Sequence, residues 1–336
     1  MVETLPIPKF FRPRSVGRLW KVDYARVAEE ADKWRERFQI AAAREDKRRV
    51  CLLLIDVQNT FCLPGFELFV AGRSGKGAVD DNRRLCRFLY RHLHRISRVA
   101  LTLDTHHVFQ IFHPIFLVDR EGRAPAPHTV IRLEDLEQGR WRVRPEVAEA
   151  LGYKPEELQA HARRYAGCLR ASGKYDWIVW PYHALLGGAG HALVPAVEEA
   201  VFFHSLVRYS PPRWEPKGDL PFTEFYSVFG PEVDETPSEK TTARNRSLIE
   251  WLADFDTVFI AGQAMSHCVA SSIQDLLNDA AFAGPTRASK LRILTDCMSP
   301  VVIPEAVDFT EPARLLFEDF ARRGAVLTDT KRAWSF

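Results

Sequence analysis

Short apolar runs, each closed by a polar or turn residue, alternate with longer amphipathic stretches along this chain. Val50-Cys51-Leu52-Leu53-Leu54-Ile55 stops at Asp56, Val99-Ala100-Leu101-Thr102-Leu103 at Asp104, and Trp177-Ile178-Val179-Trp180 at Pro181. Ala200-Val201-Phe202-Phe203 stops at His204, Val258-Phe259-Ile260-Ala261 at Gly262, and Leu291-Arg292-Ile293-Leu294-Thr295 at Asp296. Runs this short and this apolar suit strands buried on both faces of a mainly parallel sheet. Helical spacing covers Asp80–Leu93, Arg244–Ala253, Ser271–Asp279 and Pro304–Arg323. Strand and helix in alternation predict an α/β fold of three layers, a mainly parallel sheet between helices. Ligands of such sheets bind beyond the carboxyl ends of the strands. Several polar residues that close the runs stand at those ends.

Two stretches fall outside the alternation. Residues 1–47 begin with a lead bearing Pro and Arg and continue into a charged helical pattern, Tyr24–Arg49. Val118–Tyr175 carries the Pro-rich piece Ala124-Pro125-Ala126-Pro127 and a helical pattern, Lys154–Ala171. The chain thus divides into a partly helical N-terminal extension (1–47) and one α/β domain (48–336), interrupted at 118–175 by an insertion over or beside the site.

Composition excludes some classes. A net charge of +2 without a clustered basic excess excludes a nucleic-acid partner. No apolar run approaches the roughly 20 residues of a membrane span, and Met1–Arg12 lacks the apolar core of a secretory signal. Cys51, Cys62, Cys86, Cys168, Cys268 and Cys297 form no CxxC pair, so thiols in a reducing cytoplasm are expected.

One of those thiols has a special address. In Gly262-Gln263-Ala264-Met265-Ser266-His267-Cys268, an apolar run ends at glycine, and the cysteine arrives as a helix pattern begins. A helix start favours the thiolate, and its amides can hold a developing oxyanion. Asp56 follows a buried strand, where Asp commonly caps a turn. Asp104-x-His106 puts a carboxylate and an imidazole on one side of extended backbone, two-thirds of a mixed N/O metal site. His183 adds a third candidate ligand, with His107 and His113 nearby. Lys217, read alone, is an ordinary solvated lysine.

Taken in order, Asp56, Asp104-x-His106, Trp180-Pro-x-His183, Lys217 with Tyr226-Ser-x-Phe229, and Gly262 to Cys268 resemble the nicotinamidase branch of the isochorismatase-like cysteine hydrolases. The resemblance covers roughly residues 50–300 and implies a six-stranded sheet in the isochorismatase-like hydrolase fold. It implies a catalytic triad of Asp56, Lys217 and Cys268, metal ligands Asp104, His106 and His183, and aromatic walls Phe61, Trp180 and Tyr226. It also implies a cis peptide at Gln263–Ala264 and an oxyanion hole formed by amides of the turn from Ala264 to Cys268. The implied reaction is hydrolysis of a small carboxamide, with nicotinamide the favoured substrate, through a Cys268 thioester. The implied cofactor is a divalent metal, zinc by default with iron or manganese fitting the same ligands, and no organic cofactor. Homo-oligomers are a habit of the family, with Tyr24–Arg49 a candidate arm.

Elementary chemistry agrees with these roles. The Lys217 ammonium would favour the thiolate, and Asp56 can take the thiol proton and return it to the leaving amine. The departures concern the substrate. Ser266 and His267 replace the acidic and aromatic residues that many nicotinamidases carry before the cysteine, Met265 replaces a small polar residue, and Ala184 stands where cysteine is common. With the insertion, these leave another small amide or carbamoyl group as the alternative substrate. A non-catalytic ligand-binding homologue is the alternative from another class.

Overall fold

The computed structural model describes residues 4–238, 244–303, 305 and 307–334. Its central sheet has six strands, numbered here in chain order: β1 Val50–Ile55, β2 Arg98–Asp104, β3 Arg213–Lys217, β4 Thr257–Gly262, β5 Leu291–Leu294 and β6 Val326–Thr328. Across the sheet they run β6-β5-β4-β1-β2-β3, and every neighbouring pair is parallel. The chain moves outward from β1 through β2 to β3, then returns to place β4 on the other side of β1. The strand order therefore reverses between β1 and β4, the place where an open α/β sheet leaves a crevice. Asp56 and the turn after Gly262 close that crevice.

The seven longer helices are α1 Tyr24–Phe38, α2 Gly77–His92, α3 Pro155–Ser172, α4 Pro195–Arg208, α5 Arg246–Ala253, α6 Ala270–Asn278 and α7 Thr310–Arg322. Residues on alternate sides of β1 enter two separate cores. Cys51, Leu53 and Ile55 pack with α5, α6, α7 and the insertion. Leu52 and Leu54 pack with α1, α2 and α4. Those two cores and the sheet between them are the three layers. Among the described residues, no helix is long and apolar enough to cross a membrane.

Four of the six apolar runs are central strands. Ala200–Phe203 instead lies inside α4, which opens with Pro195 in its first turn. α4 is covered from several directions, by α1 and α2 among others, so it lacks the polar stripe that distinguishes a helix from a buried strand. Trp177–Ile178 is a strand, but it pairs antiparallel with Val130–Ile131 in the insertion, not with the central sheet. Two edge strands complete the sheet. β3 includes Pro216, tolerated at an edge because a proline there breaks no ladder on its open side, and its exposed positions dilute the apolar signal. β6 is only three residues long.

The helix at Tyr24 ends earlier than its charge pattern. Gln39 takes a left-handed φ of 49° and caps α1, and its N–H reaches Arg35 O and Glu36 O. α1 packs on α4: Tyr24 meets Phe202 at 5.0 Å and Trp34 meets Phe203 at 5.8 Å. The extension is thus part of the outer layer, with Phe10, Val16 and Val27 buried in the same core. Pro304, the expected start of the last helix, lies outside the described residues, as do Met1–Glu3; the helix itself is α7.

Candidate active site

β1 delivers Asp56 with an unusual backbone. The residue has a left-handed φ of 48°, which costs a non-glycine residue about 1 kcal/mol and persists only where its surroundings enforce it. Here the enforcement comes from Thr102 of β2. The Asp56 N–H donates to Thr102 Oγ1 at 3.0 Å, and the threonine hydroxyl donates back to Asp56 Oδ1. Gln58 then joins the two strand ends. Its amide donates to Asp104 O at 2.8 Å and to His191 O at 2.9 Å, and its carbonyl accepts from Asp104 N–H at 2.8 Å.

Lys217 is not solvated. It ends the edge strand β3, in register with Asp104, and is buried. Its ammonium lies 3.1 Å from Asp56 Oδ2, 2.8 Å from Asp104 Oδ1 and 3.7 Å from Cys268 Sγ, and it donates to Phe225 O at 2.7 Å. Burial opposes its charge, but Asp104 and Asp56 outweigh burial and hold its pKa well above the ordinary lysine value. Asp56, Asp104 and Cys268 offer ligand atoms within 4.8 Å of one another. The cation at the centre of that trio is the Lys217 ammonium.

A second cluster of donors faces away from Lys217. One atom each from Asp104, His106 and His183 falls within 4.8 Å of the others. His106 Nε2 is 3.1 Å, and His183 Nε2 3.8 Å, from Asp104 Oδ2. Each imidazole is fixed from behind: His106 Nδ1 lies 2.9 Å from Gly218 O and His183 Nδ1 2.8 Å from Pro181 O. A carbonyl only accepts, so each Nδ1 carries a proton, and Nε2 is the atom that each ring turns to the cluster. His106 Nε2 is buried with no hydrogen-bond partner among the described residues. Metal–ligand bonds of about 2.1 Å place tetrahedral corners about 3.4 Å apart, which these spacings bracket. The donor set therefore fits a divalent metal. Burial opposes ionisation of Asp104, but His106, Lys217 and His183 outweigh it and hold its carboxyl well below the usual range. Burial likewise opposes charge on His106, and Asp104 overcomes it, a pull that acts on any cation at Nε2.

His183 arrives differently from the sequence expectation. It follows the small insertion ladder through a loop, and a bridge between Leu185 and His106 brings that loop beside the end of β2. Neither His113 nor His107 joins the cluster. His113 is packed against Tyr182 at 4.9 Å, burial pushes its pKa down to about 4, and His107 is exposed.

The thiol lies within a single-turn π-helix, Met265–Val269, that leads into α6. Gly262 must be glycine: its φ is 130°, and a Cβ there would lie 2.0 Å from Ile55 O. The Gln263–Ala264 peptide is cis. Within the turn, the Met265 N–H is taken by Ser299 O at 2.8 Å, and His267 and Val269 N–H by Ala264 O at 3.1 and 3.2 Å. The Ala264 N–H, ahead of that helix, makes no such bond among the described residues and is a candidate oxyanion donor; the Cys268 N–H remains the other candidate that the resemblance implies. Burial pushes the Cys268 thiol well above its ordinary pKa and outweighs Lys217, while Asp56 and Asp104 push it further. Attack by this sulfur therefore calls for a base to take the thiol proton. Asp56 is suited to that: burial raises its pKa despite Lys217.

The three aromatic candidates line the same region. Phe61 packs on His183 at 5.8 Å, and Trp180 Nε1–H donates to Tyr226 Oη at 3.1 Å. Several neighbours escaped sequence reasoning. Thr102 left one faint signal, a hydroxyl in an otherwise apolar strand. Gly218, at φ 81°, leaves no room for a Cβ, which would lie 2.7 Å from His106 Cε1. Glu224 is buried, which raises its pKa to about 7, and accepts from Phe225 N–H at 2.9 Å. Asp81 of α2 accepts from Gln263 Nε2 at 2.9 Å and Ser299 Oγ at 2.6 Å, bracing the turn before Cys268. Nothing in the local sequence separates Asp81 from its neighbour Asp80.

No protein-family model matches this chain, and no curated protein matches it. Solved structures do. The Acinetobacter baumanii nicotinamidase pyrazinamidease aligns with a TM-score of 0.52 at 17% identity, over 85% of this chain and 99% of that one. The yeast nicotinamidase Pnc1p, bound to the inhibitor nicotinaldehyde, aligns with a TM-score of 0.52 at 16% identity, over 83% of this chain and 99% of that one. The chain has the α/β fold of these nicotinamidases, with a parallel six-stranded sheet between helical layers.

Proposed function

We propose that this protein is a metal-dependent cysteine amidohydrolase that cleaves a small aromatic carboxamide, nicotinamide first among candidates, to the carboxylate and ammonia. The carrying observation is the buried Lys217 ammonium, within 3.1 Å of Asp56 and 3.7 Å of Cys268 Sγ. An acid, a cation and a thiol in one dry site suit nucleophilic attack on an amide.

Asp56 takes the Cys268 proton as sulfur bonds to the amide carbon, and Lys217 stabilises the thiolate character that develops. The tetrahedral oxygen accepts from the amides of Ala264 and Cys268. Asp56 returns the proton to the departing nitrogen, so ammonia leaves and a thioester remains. Asp56 then deprotonates a water that attacks the thioester, releasing the carboxylate and restoring the thiol. Asp104, His106 and His183 would hold a divalent metal, zinc by default, that supplies a Lewis-acid contact for a donor atom of the substrate. Phe61, Trp180 and Tyr226 form the apolar walls for its ring.

The test is ammonia release from nicotinamide by metal-replete protein and by Cys268→Ala. Release that vanishes in the variant, with fold and metal retained, is expected. Release that survives in the variant overturns the mechanism. Turnover of a different small amide alone would keep the mechanism and change the substrate.

A further inference from the structure

The insertion reaches the site through one side chain. Tyr175 follows the end of α3 and lies between the nucleophile turn and a cleft. Its hydroxyl is 3.0 Å from Ser266 O and 3.1 Å from Ser271 Oγ. It donates its single proton to the carbonyl and so accepts from the serine, which ties it to residues on both sides of Cys268. Its ring stacks on His267 at 5.2 Å and 18°, and packs 4.5 Å from Tyr226.

The ring also borders a cleft of about 1080 Å³ between the insertion and α7, whose walls include Trp177, Ala270, Leu316 and Phe320. That volume is just above the range for small-molecule sites, about 300–1,000 Å³. Trp180, Tyr226, His267 and Cys268 are buried and do not line the cleft. Among the described residues, Tyr175 packs on both the Tyr226 and His267 rings while bordering the cleft, Phe309 of the cleft wall meets the His267 ring at 4.8 Å, and two hydrogen bonds fix Tyr175 in place.

We propose that Tyr175 is the partition between the reacting site and this cleft, and that it sets the size of the amide by confining the acyl group to a single ring. Loss of its ring joins the two spaces and admits an acyl group carrying a second ring. This rests on the amidohydrolase reading above. A purely structural tyrosine would slow small and large substrates alike; a partition changes their ratio.

The experiment uses full-length metal-replete protein with Tyr175→Phe, Tyr175→Leu and Tyr175→Ala. Alkylation of Cys268 is followed by peptide mass mapping, with iodoacetamide and with a naphthyl-substituted iodoacetamide. Nicotinamide and an aryl-substituted nicotinamide are compared by kcat/KM. The bulky-to-small ratio should rise about tenfold in Tyr175→Ala, less in Tyr175→Leu, and stay within about twofold in Tyr175→Phe, which keeps the ring. Tyr175→Leu retains an apolar plug and carries the test if the alanine variant does not fold. A ratio unmoved in the folded variants overturns the partition, even with nicotinamide turned over normally. A shifted alkylation ratio without turnover of either amide supports the partition and overturns nicotinamide as the substrate instead.

Discussion

Lys217→Met removes the one cation shared by two buried carboxylates while keeping a side chain of similar length. At about 3 Å and an effective dielectric constant of about 20, each carboxylate contact is worth about 5 kcal/mol before desolvation is counted. Removing one partner of a buried ion pair costs about 3–5 kcal/mol in practice, so a stability loss of that order is expected near neutral pH. The sign of its pH dependence follows from Asp56, whose pKa burial already raises. Without the ammonium that pKa rises further above its unfolded value. The native state then holds more protons than the unfolded state, and stability falls as pH rises. The deficit relative to the parent should therefore be larger at alkaline than at mildly acidic pH. Lys217 is also 3.7 Å from Cys268 Sγ, and loss of about 4 kcal/mol of thiolate stabilisation at the same dielectric corresponds to about 10³-fold slower attack. Urea unfolding followed by tryptophan fluorescence at two pH values, with iodoacetamide kinetics at Cys268, reads both effects. A variant within about 1 kcal/mol of the parent at alkaline pH, alkylated at the parent rate, refutes the shared-cation reasoning.

Three further outcomes are expected. His106→Ala should lose most bound metal after dialysis, and an unchanged metal stoichiometry by elemental analysis would sink the ligand assignment. Asp81→Ala strips the acceptor from Gln263 and Ser299; it should destabilise by about 1–3 kcal/mol and lower kcat more than it raises KM, and a parent-like kcat would show the brace to be dispensable. His204, buried in α4 with Nε2 donating to Ile96 O at 2.9 Å, is held neutral by burial, its pKa pushed down to about 4. The unfolded chain takes up that proton below its ordinary pKa of 6.5 and the native state does not, so stability falls as pH drops from 6.5 to about 4. This single group accounts for about 3 kcal/mol of that loss. His204→Gln should flatten the slope in unfolding measurements across that window, and an unchanged slope would remove His204 from the account.

Much of the sheet was legible because buried parallel strands announce themselves. β1, β2, β4 and β5 read as apolar runs closed by polar residues. The same signal misled at α4, where a helix covered on several faces loses its stripe, and at Trp177, whose partner strand lies in the insertion. It was silent at β3 and β6, since edge strands need little apolar surface. Asp56, Asp104, His106 and Cys268 could be suspected because each stands at a strand end or a strand-to-helix turn. Lys217 could not be suspected on its own, because burial of a lysine is a property of its neighbours.

The sequence by itself determined the layered α/β plan, the strand ends that carry polar residues, and the glycine that only a Cβ-free turn accommodates. Periodicity and composition act over a few residues, so what they determine is local. Tertiary structure decided the rest: that Lys217 stands in register with Asp104, that His183 reaches Asp104 from a loop, that Asp81 braces a turn far along the chain, and that burial raises the pKa of Cys268. Distances and desolvation arise only when segments distant in sequence pack together, and charge, proton affinity and access to the thiol are set there.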